Sequence, residues 1–409
     1  MAQARRTSKT SQPGLEALLA SKSMVIVCGS GGTGKTTVAA SLGAVAATRL
    51  GARVLVLTVD PARRLATALG LGAEGLGSLA GREVQVDLGE GAQADAITRP
   101  GELWMAMLDT KAGWDELIRR HAPDAATRDK VLANPLYQNI TGRFVHSHDY
   151  LAMEQLHELH TSGRYDLVII DTPPSRNALD LLDAPARMKD FFGSRLLRWI
   201  TVPYRSRLFT AASKPFYQVA DRVLGSRFLQ DIAEFFVLFQ TMEDGFVARA
   251  NEVERLLVNP STGFVVVTTL ETAPAHEAKF LAGELQRRSM NLGAIVLNRT
   301  LPVGFRAPAA AKAARALRAT ADETATVAAL TAQAASIAPV AATEADVRSV
   351  LVEVSERFGD LSILASREAE RRADLESLGT LTVTAPSLAR DINDLDSLLE
   401  LGTHLVAGP

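Results

Sequence analysis

Cysteine is almost absent: Cys28 is the only one in 409 residues. A lone cysteine builds no disulfide framework and no thiolate metal cluster. It reads as a small buried residue in a reducing cytosol. Net charge is nearly absent too, with 44 basic against 46 acidic residues for a formal −2. Without a global positive field no nucleic-acid partner is expected, and charged partners must be met by local patches. No apolar run is long enough to cross a bilayer, and Lys22 interrupts the candidate nearest the amino terminus. Arg5, Arg6 and Lys9 have no apolar stretch behind them, so Met1 to Ser11 reads as a disordered tail and not as a secretory signal. Aromatics make up only 5% of the chain, but 12 of the 22 fall between Phe191 and Phe246.

Glycine is plentiful where it matters. After the apolar run Met24 to Val27 come Gly29, Ser30, Gly31, Gly32, Thr33, Gly34, Lys35, Thr36 and Thr37, followed by the alanine-rich Val38 to Leu50. Strand, glycine loop and helix in that order make a phosphate-binding loop. Glycines let the backbone N–H groups from Gly31 to Thr37 turn inward, and the helix dipole adds partial positive charge where a triphosphate sits. Lys35 would reach the β- and γ-phosphates, Thr36 would place its hydroxyl on Mg²⁺, and Thr37 would bond the α-phosphate. The loop does not recur, so the chain supplies one nucleotide site.

Two further apolar runs end in acids. Arg53 to Asp60 (RVLVLTVD) reads as a strand buried on both faces, and Asp60 either serves the site or caps a helix that Pro61 starts and Gly70 stops. Tyr165 to Asp171 (YDLVIID) is the second, and Asp171-Thr172-Pro173-Pro174 matches the acidic motif that holds a Mg²⁺-bound water. Short strands are expected at Trp104 to Leu108, Phe264 to Thr269, Ala294 to Leu297 and Leu381 to Ala385. Helix is expected over Ala112 to His121, Leu151 to His160, Ala309 to about Glu376 and Asp391 to Val406. Asn298, just beyond a strand on the carboxyl edge of the sheet, stands where it can pair with adenine. The fold class is therefore α/β, a P-loop nucleoside triphosphatase with a mostly parallel doubly wound sheet and an inserted helical subdomain. The expected division is a flexible tail over 1–22, a first core part over 23–185, a helical client or partner subdomain over 186–260, and a second core part over 261–409 with a helical insertion at about 309–376.

His146, His148, His157 and His160 crowd one region, but without metalloprotease spacing they read as the polar face of a helix more readily than as a metal site. Leu229, Ile232, Phe235, Phe236, Phe239, Met242 and Phe246 recur at helical spacing. Nine basic residues against two acids stand between Arg187 and Arg227. This segment is either an ordinary helical subdomain with an aromatic core or a switchable surface for an apolar client, a partner subunit or an anionic membrane face.

In these motifs the chain resembles the arsenical-pump and tail-anchored-protein targeting ATPases, a family with a deviant phosphate loop. The likeness rests on GSGGTGKTT at Gly29 to Thr37, DPARRL at Asp60 to Leu65, DTPPSRNALDLLDAP at Asp171 to Pro185, LNR at Leu297 to Arg299 and APSLARDINDL at Ala385 to Leu395. It is nearest to the single-domain bacterial members labelled anion-transporting ATPases. The resemblance implies ATP and Mg²⁺ as ligands and hydrolysis in a face-to-face dimer. It makes Asp60 the residue that orients water, Asp171 the head of a second switch, and Asn298 the adenine contact, with the loop carrying Pro386 on the other side. It also implies a cytoplasmic protein that carries an apolar client or touches a membrane peripherally through Phe191 to Phe246.

Three departures qualify it. Ser30 stands where the family usually has a lysine that reaches the partner's phosphates, and a cation acting in trans is worth about 10³ to 10⁵ in rate. Arg63, Arg64 and Arg176, all in switch motifs, are the expected substitutes. The zinc-binding Cys-x-x-Cys is missing, so no zinc is expected. So are the arsenite-binding cysteines, and soft trivalent arsenic needs several thiolates. The alternative to a self-sufficient homodimer is a weakly active regulatory chain that pairs with a more complete paralogue.

Overall fold

A computed structural model describes residues 14–59, 82–89, 101–108, 110–140, 147–172, 179–193, 235–337 and 342–407. Its strands are β1 (Met24–Cys28), β2 (Arg53–Thr58), β3 (Glu83–Val86), β4 (Glu102–Met107), β5 (Leu167–Asp171), β6 (Thr262–Thr268), β7 (Leu292–Thr300) and β8 (Leu381–Pro386). They form one sheet in the order β3-β4-β2-β5-β1-β6-β7-β8, parallel at every pairing except β3 with β4. The chain leaves β1 toward β2 on one side and later returns to β6 on the other. Strand order thus reverses at β1, which is where open α/β sheets bind ligands.

Because strand side chains alternate between faces, each apolar run feeds two cores. Val25, Val27, Val54, Val56, Ile169, Val265 and Val267 pack on one side with α1 (Leu15–Ser21), α2 (Lys35–Leu50) and α13 (Leu395–Val406). Helix α2 is rich in Ala and carries Gly43 because it lies close on the sheet: a Cβ on Gly43 would stand 2.6 Å from Val56 Cγ2. On the other side Ile26, Leu55, Leu57, Ile170, Phe264 and Val266 meet α3 (Thr110–His121), α4 (Ala125–Ala133), α5 (Pro135–Ile140), α6 (Ser147–Thr161), α7 (Leu179–Gly193), α8 (Glu243–Leu257) and α9 (Thr272–Arg287).

Three differences from the sequence reading have physical causes. The expected tail to residue 22 is helical from Leu15 to Ser21, since Leu15 and Leu19, one turn apart, are 1% and 2% exposed and Leu18 lies over Gly293. The stretch expected to be helical from Ala309 to Glu376 is three helices, α10 (Pro308–Asp322), α11 (Thr324–Ile337) and α12 (Glu344–Glu376), after a 3-10 turn at Val303–Arg306. Thr343 and Asp346 form a reciprocal capping box that starts α12 afresh. The closing helix begins at Leu395 and not at Asp391, because Asp394 accepts the Ser397 N–H and caps it.

Candidate nucleotide site

The phosphate loop turns on glycines that no other residue could replace without strain. Gly29, Gly32 and Gly34 have φ of 143°, 80° and 92°. A Cβ at Gly29 would collide with the Val267 carbonyl, and one at Gly34 with the Asn298 amide. The Ser30 carbonyl is the hub of the loop, accepting from Lys35 Nζ at 2.8 Å and from Thr33 Oγ1 at 2.9 Å. Lys35 is only 5% exposed, so its ammonium stays within the loop and not in solvent. Burial pushes the Cys28 thiol up to about 12 despite the nearby Lys35 charge, and its Sγ lies 3.7 Å from the Val265 carbonyl. Cys28 is thus a protonated packing group, neither nucleophile nor metal ligand.

Register brings the strand-end residues alongside. Asp171 pairs with Val27 of β1 on one side and with Thr58 of β2 on the other. Its buried carboxylate accepts from Thr58 Oγ1 at 3.1 Å, and its carbonyl accepts from Val59 N. Thr172 then clips the strand to β1 by donating Oγ1 to the Val27 carbonyl at 2.9 Å. Thr36 and Asp171 together offer hydroxyl and carboxylate oxygens, the hard donors that a Mg²⁺ ion takes. Asp60, Arg63, Arg64 and Arg176 lie outside the described residues.

On the other flank β7 delivers Asn298. It is 6% exposed, donates Nδ2 to the Thr33 carbonyl at 2.8 Å and accepts from Arg299 N at 3.0 Å. The sequence placed Asn298 at the site for adenine; its amide is engaged first with the loop, and one Nδ2 hydrogen remains. Arg299 closes the Leu297–Arg299 motif. It holds φ of 55° and donates Nη1 to the Gly32 carbonyl at 3.4 Å. Pro386 is the register partner of Thr300, and Ser387 N donates to the Thr300 carbonyl. The Pro386 loop therefore stands beside Asn298 and Arg299.

Between Phe191 and Phe246 the described aromatics Phe192, Phe235, Phe239 and Phe246 are core, and Phe191 and Phe236 are half-buried against them. Phe192, Phe235, Phe239, Met242 and Phe246 are at most 6% exposed, and rings of Phe192, Phe239 and Phe246 pack within 5.2–5.5 Å of one another. They share one core with the sheet face, with Trp114 and Tyr150 against them. Residues 194–234, including Leu229 and Ile232, lie outside the described residues. Among the described residues no three His, Cys, Asp or Glu side chains are grouped to hold a metal. His160 Nε2 bonds Ser23 Oγ at 2.9 Å and His157 Nδ1 meets Arg249 at 2.9 Å. Among the described residues no helix is long and apolar enough to cross a membrane.

A glycine loop at the switch point, a buried lysine within it and an acid on the neighbouring strand define a P-loop nucleoside triphosphatase. A family model described as "Anion-transporting ATPase" matches residues 22–319, well over half of the chain. The chain belongs to the anion-transporting ATPase family and is by class an ATP hydrolase. It is 25% identical over 300 residues to a protein of Entamoeba dispar named "ATPase ASNA1 homolog", a match covering 71% of this chain and 80% of the relative. It is 22% identical over 284 residues to the "Putative arsenical pump-driving ATPase 1" of Aquifex aeolicus, covering 68% of this chain and 63% of the relative. An uncharacterized protein of Streptomyces coelicolor is 28% identical over 283 residues, 68% of this chain and 62% of that one. The last two matches span just under two thirds of those relatives' lengths.

Proposed function

We propose that this chain is a Mg²⁺-dependent ATPase of the arsenical-pump and tail-anchored targeting type, working in the cytoplasm. ATP binding and hydrolysis open and close a dimer that carries an apolar protein client or a membrane-associated partner. The observation that carries the reading is the loop itself: Lys35 is buried and held on the Ser30 carbonyl, and Asn298 fastens the loop to β7. A site fixed this way binds a triphosphate with little reorganisation, and positioning plus electrostatics supply most of the catalysis in this chemistry.

In this account the N–H groups from Gly31 to Thr37 cradle the phosphates and Lys35 bridges the β- and γ-groups. Thr36 and, through water, Asp171 would hold Mg²⁺, which neutralises charge developing on the transferred phosphoryl group. Asp60 orients the attacking water, and Arg63, Arg64 or Arg176 supplies the cation that Ser30 lacks. Arsenic coupling is not part of the proposal, since Cys28 is a single buried, protonated thiol.

One observation favours a second reading, in which the chain is a regulatory half paired with a paralogous ATPase. Ser30 is 7% exposed and its Oγ has no hydrogen-bond partner among the described residues, so the side chain turns inward and carries no charge toward another subunit. Light scattering of the purified chain with and without Mg-ATP tests the first reading. An ATP-favoured dimer supports it, and a chain that stays monomeric with ATP until a paralogue is added contradicts it.

A further inference from the structure

A helix that only covers its neighbours turns large apolar side chains inward and polar ones outward. Helix α12 reverses this. Before Leu375 the positions it buries are Ser355, Ser362 and Ala365, and α10, packed against it, buries Ala310, Ala314 and Ala321. Among the described residues eight large apolar side chains stand exposed, and four of them, Val350, Val354, Ile363 and Leu364, are on α12. Valine costs helix propensity at an exposed position, where a straight-chain residue serves better. Packing on α10 does not call for it.

The outward residues are spaced for another helix. Val350, Val354, Leu361 and Leu364 fall at the first and fourth positions of a seven-residue repeat and form a stripe about 21 Å long. Along it Val350, Val354 and Leu364 are 44–58% exposed and Leu361 is half-buried. Asp346, Glu353 and Asp360, all exposed, recur every seven residues on its border. Arg357 interrupts the stripe and is ion-paired with Glu353 at 2.5 Å. These are the marks of a coiled-coil seam with an acidic flank. The far end of the helix is pinned: Arg371 donates to the Leu270 carbonyl at 2.8 Å and to Thr272 Oγ1 at 2.9 Å, and Glu368 Oε2 accepts from Leu301 N at 3.1 Å. The seam is therefore held in place before any partner arrives.

We propose that this face of α12 docks a basic amphipathic helix of a partner protein, with apolar residues at seam spacing and Lys or Arg beside them. The sign of the flank selects the occupant. In an antiparallel second copy Glu353 and Asp360 would meet the same acids, and an anionic lipid surface would repel them too. Lysines and arginines on a partner helix pair with them instead, while its apolar residues cover Val350, Val354 and Leu364. A seam fixed beforehand gives up little entropy on binding. None of its residues belongs to the nucleotide site.

The probe is a fluorescent helix of Leu and Lys, about 14 residues or two heptads long, titrated into the full chain without nucleotide and read by anisotropy. A Leu/Glu helix of the same pattern and a scrambled Leu/Lys peptide are the controls. Wild type should bind the Leu/Lys helix at least about tenfold tighter than either control, and added salt should weaken that binding. Val354→Gln with Leu364→Gln removes apolar anchors, and Glu353→Lys with Asp360→Lys reverses the flank. Each pair should cost at least about tenfold in affinity while circular dichroism matches wild type. The proposal is overturned if either control binds as well as the Leu/Lys helix, if wild type binds none of the three, or if either variant binds like wild type. It is overturned equally if light scattering without nucleotide shows a wild-type dimer that the Val354 and Leu364 changes dissolve, or if anionic vesicles retain wild type and not that variant. Those results would assign the face to a second copy or to a membrane.

Discussion

Removing the Asn298 amide tests how the loop is held. Asn298 Nδ2 donates at 2.8 Å to the carbonyl of Thr33, a residue 1% exposed. In Asn298→Ala that carbonyl keeps its burial and loses this donor, a defect costing about 1–3 kcal/mol. If the loop relaxes to recover a partner, the cost appears as lost ligand affinity, and at 1.4 kcal/mol per tenfold it amounts to about 5- to 150-fold. Asn298→Asp should do no better than alanine, because a carboxylate offers no donor and faces a carbonyl. Isothermal titration with Mg-tripolyphosphate isolates the loop, since that ligand has no base. We expect weakened tripolyphosphate binding in both variants, with a further loss for ATP where the base contact also goes. Unchanged tripolyphosphate affinity in Asn298→Ala would refute the reasoning and leave Asn298 as a base contact only.

Two more expectations follow from particular residues. Gly34→Ala must place a Cβ against the Asn298 amide at φ of 92°, so nucleotide binding should fall by at least tenfold, while circular dichroism shows the fold retained. Glu154 is 3% exposed; burial raises its carboxyl from 4.5 to about 7, against the pull of Arg249 and Arg120. Arg249 Nε lies 2.9 Å from it, and its charge opposes the effect of burial without overcoming it. A raised carboxyl holds its proton in the folded state after the unfolded chain has lost it, so stability declines as pH rises from about 4.5 through 7, by up to about 3 kcal/mol. Glu154→Gln should flatten that decline in urea melts at pH 5 and pH 8, and an unaltered pH dependence in the variant would contradict it.

Much of this site was legible because its chemistry is local. Positive φ calls for glycine, and Gly29, Gly32 and Gly34 stand where the loop needs it. Buried parallel strands leave uninterrupted apolar runs, so seven of the eight strands could be read. The exception, Glu83–Val86, is the antiparallel edge strand, only four residues long and half polar. What escaped depends on contacts distant in sequence. Nothing in Leu297-Asn298-Arg299 announces a register shift against β8, yet that shift turns both side chains onto the loop. The helical stripe of Phe235, Phe239 and Phe246 was visible, but whether it met solvent or the sheet was decided by Phe192, Trp114 and Tyr150 packing on it. The pairing of Glu154 with Arg249 across two helices had no sequence signal either. The Thr343/Asp346 capping box did have one, a Thr followed three residues later by an acid, and it marks where the long helical stretch restarts.

Mg²⁺-dependent ATP hydrolysis by the purified chain, measured beside Lys35→Ala, tests the central claim most directly. Lys35 is the buried cation of the loop, so the account predicts measurable turnover in the wild type and a loss of at least about 100-fold in the variant. Equal turnover in the two proteins, or none in a wild type that binds ATP, would contradict it.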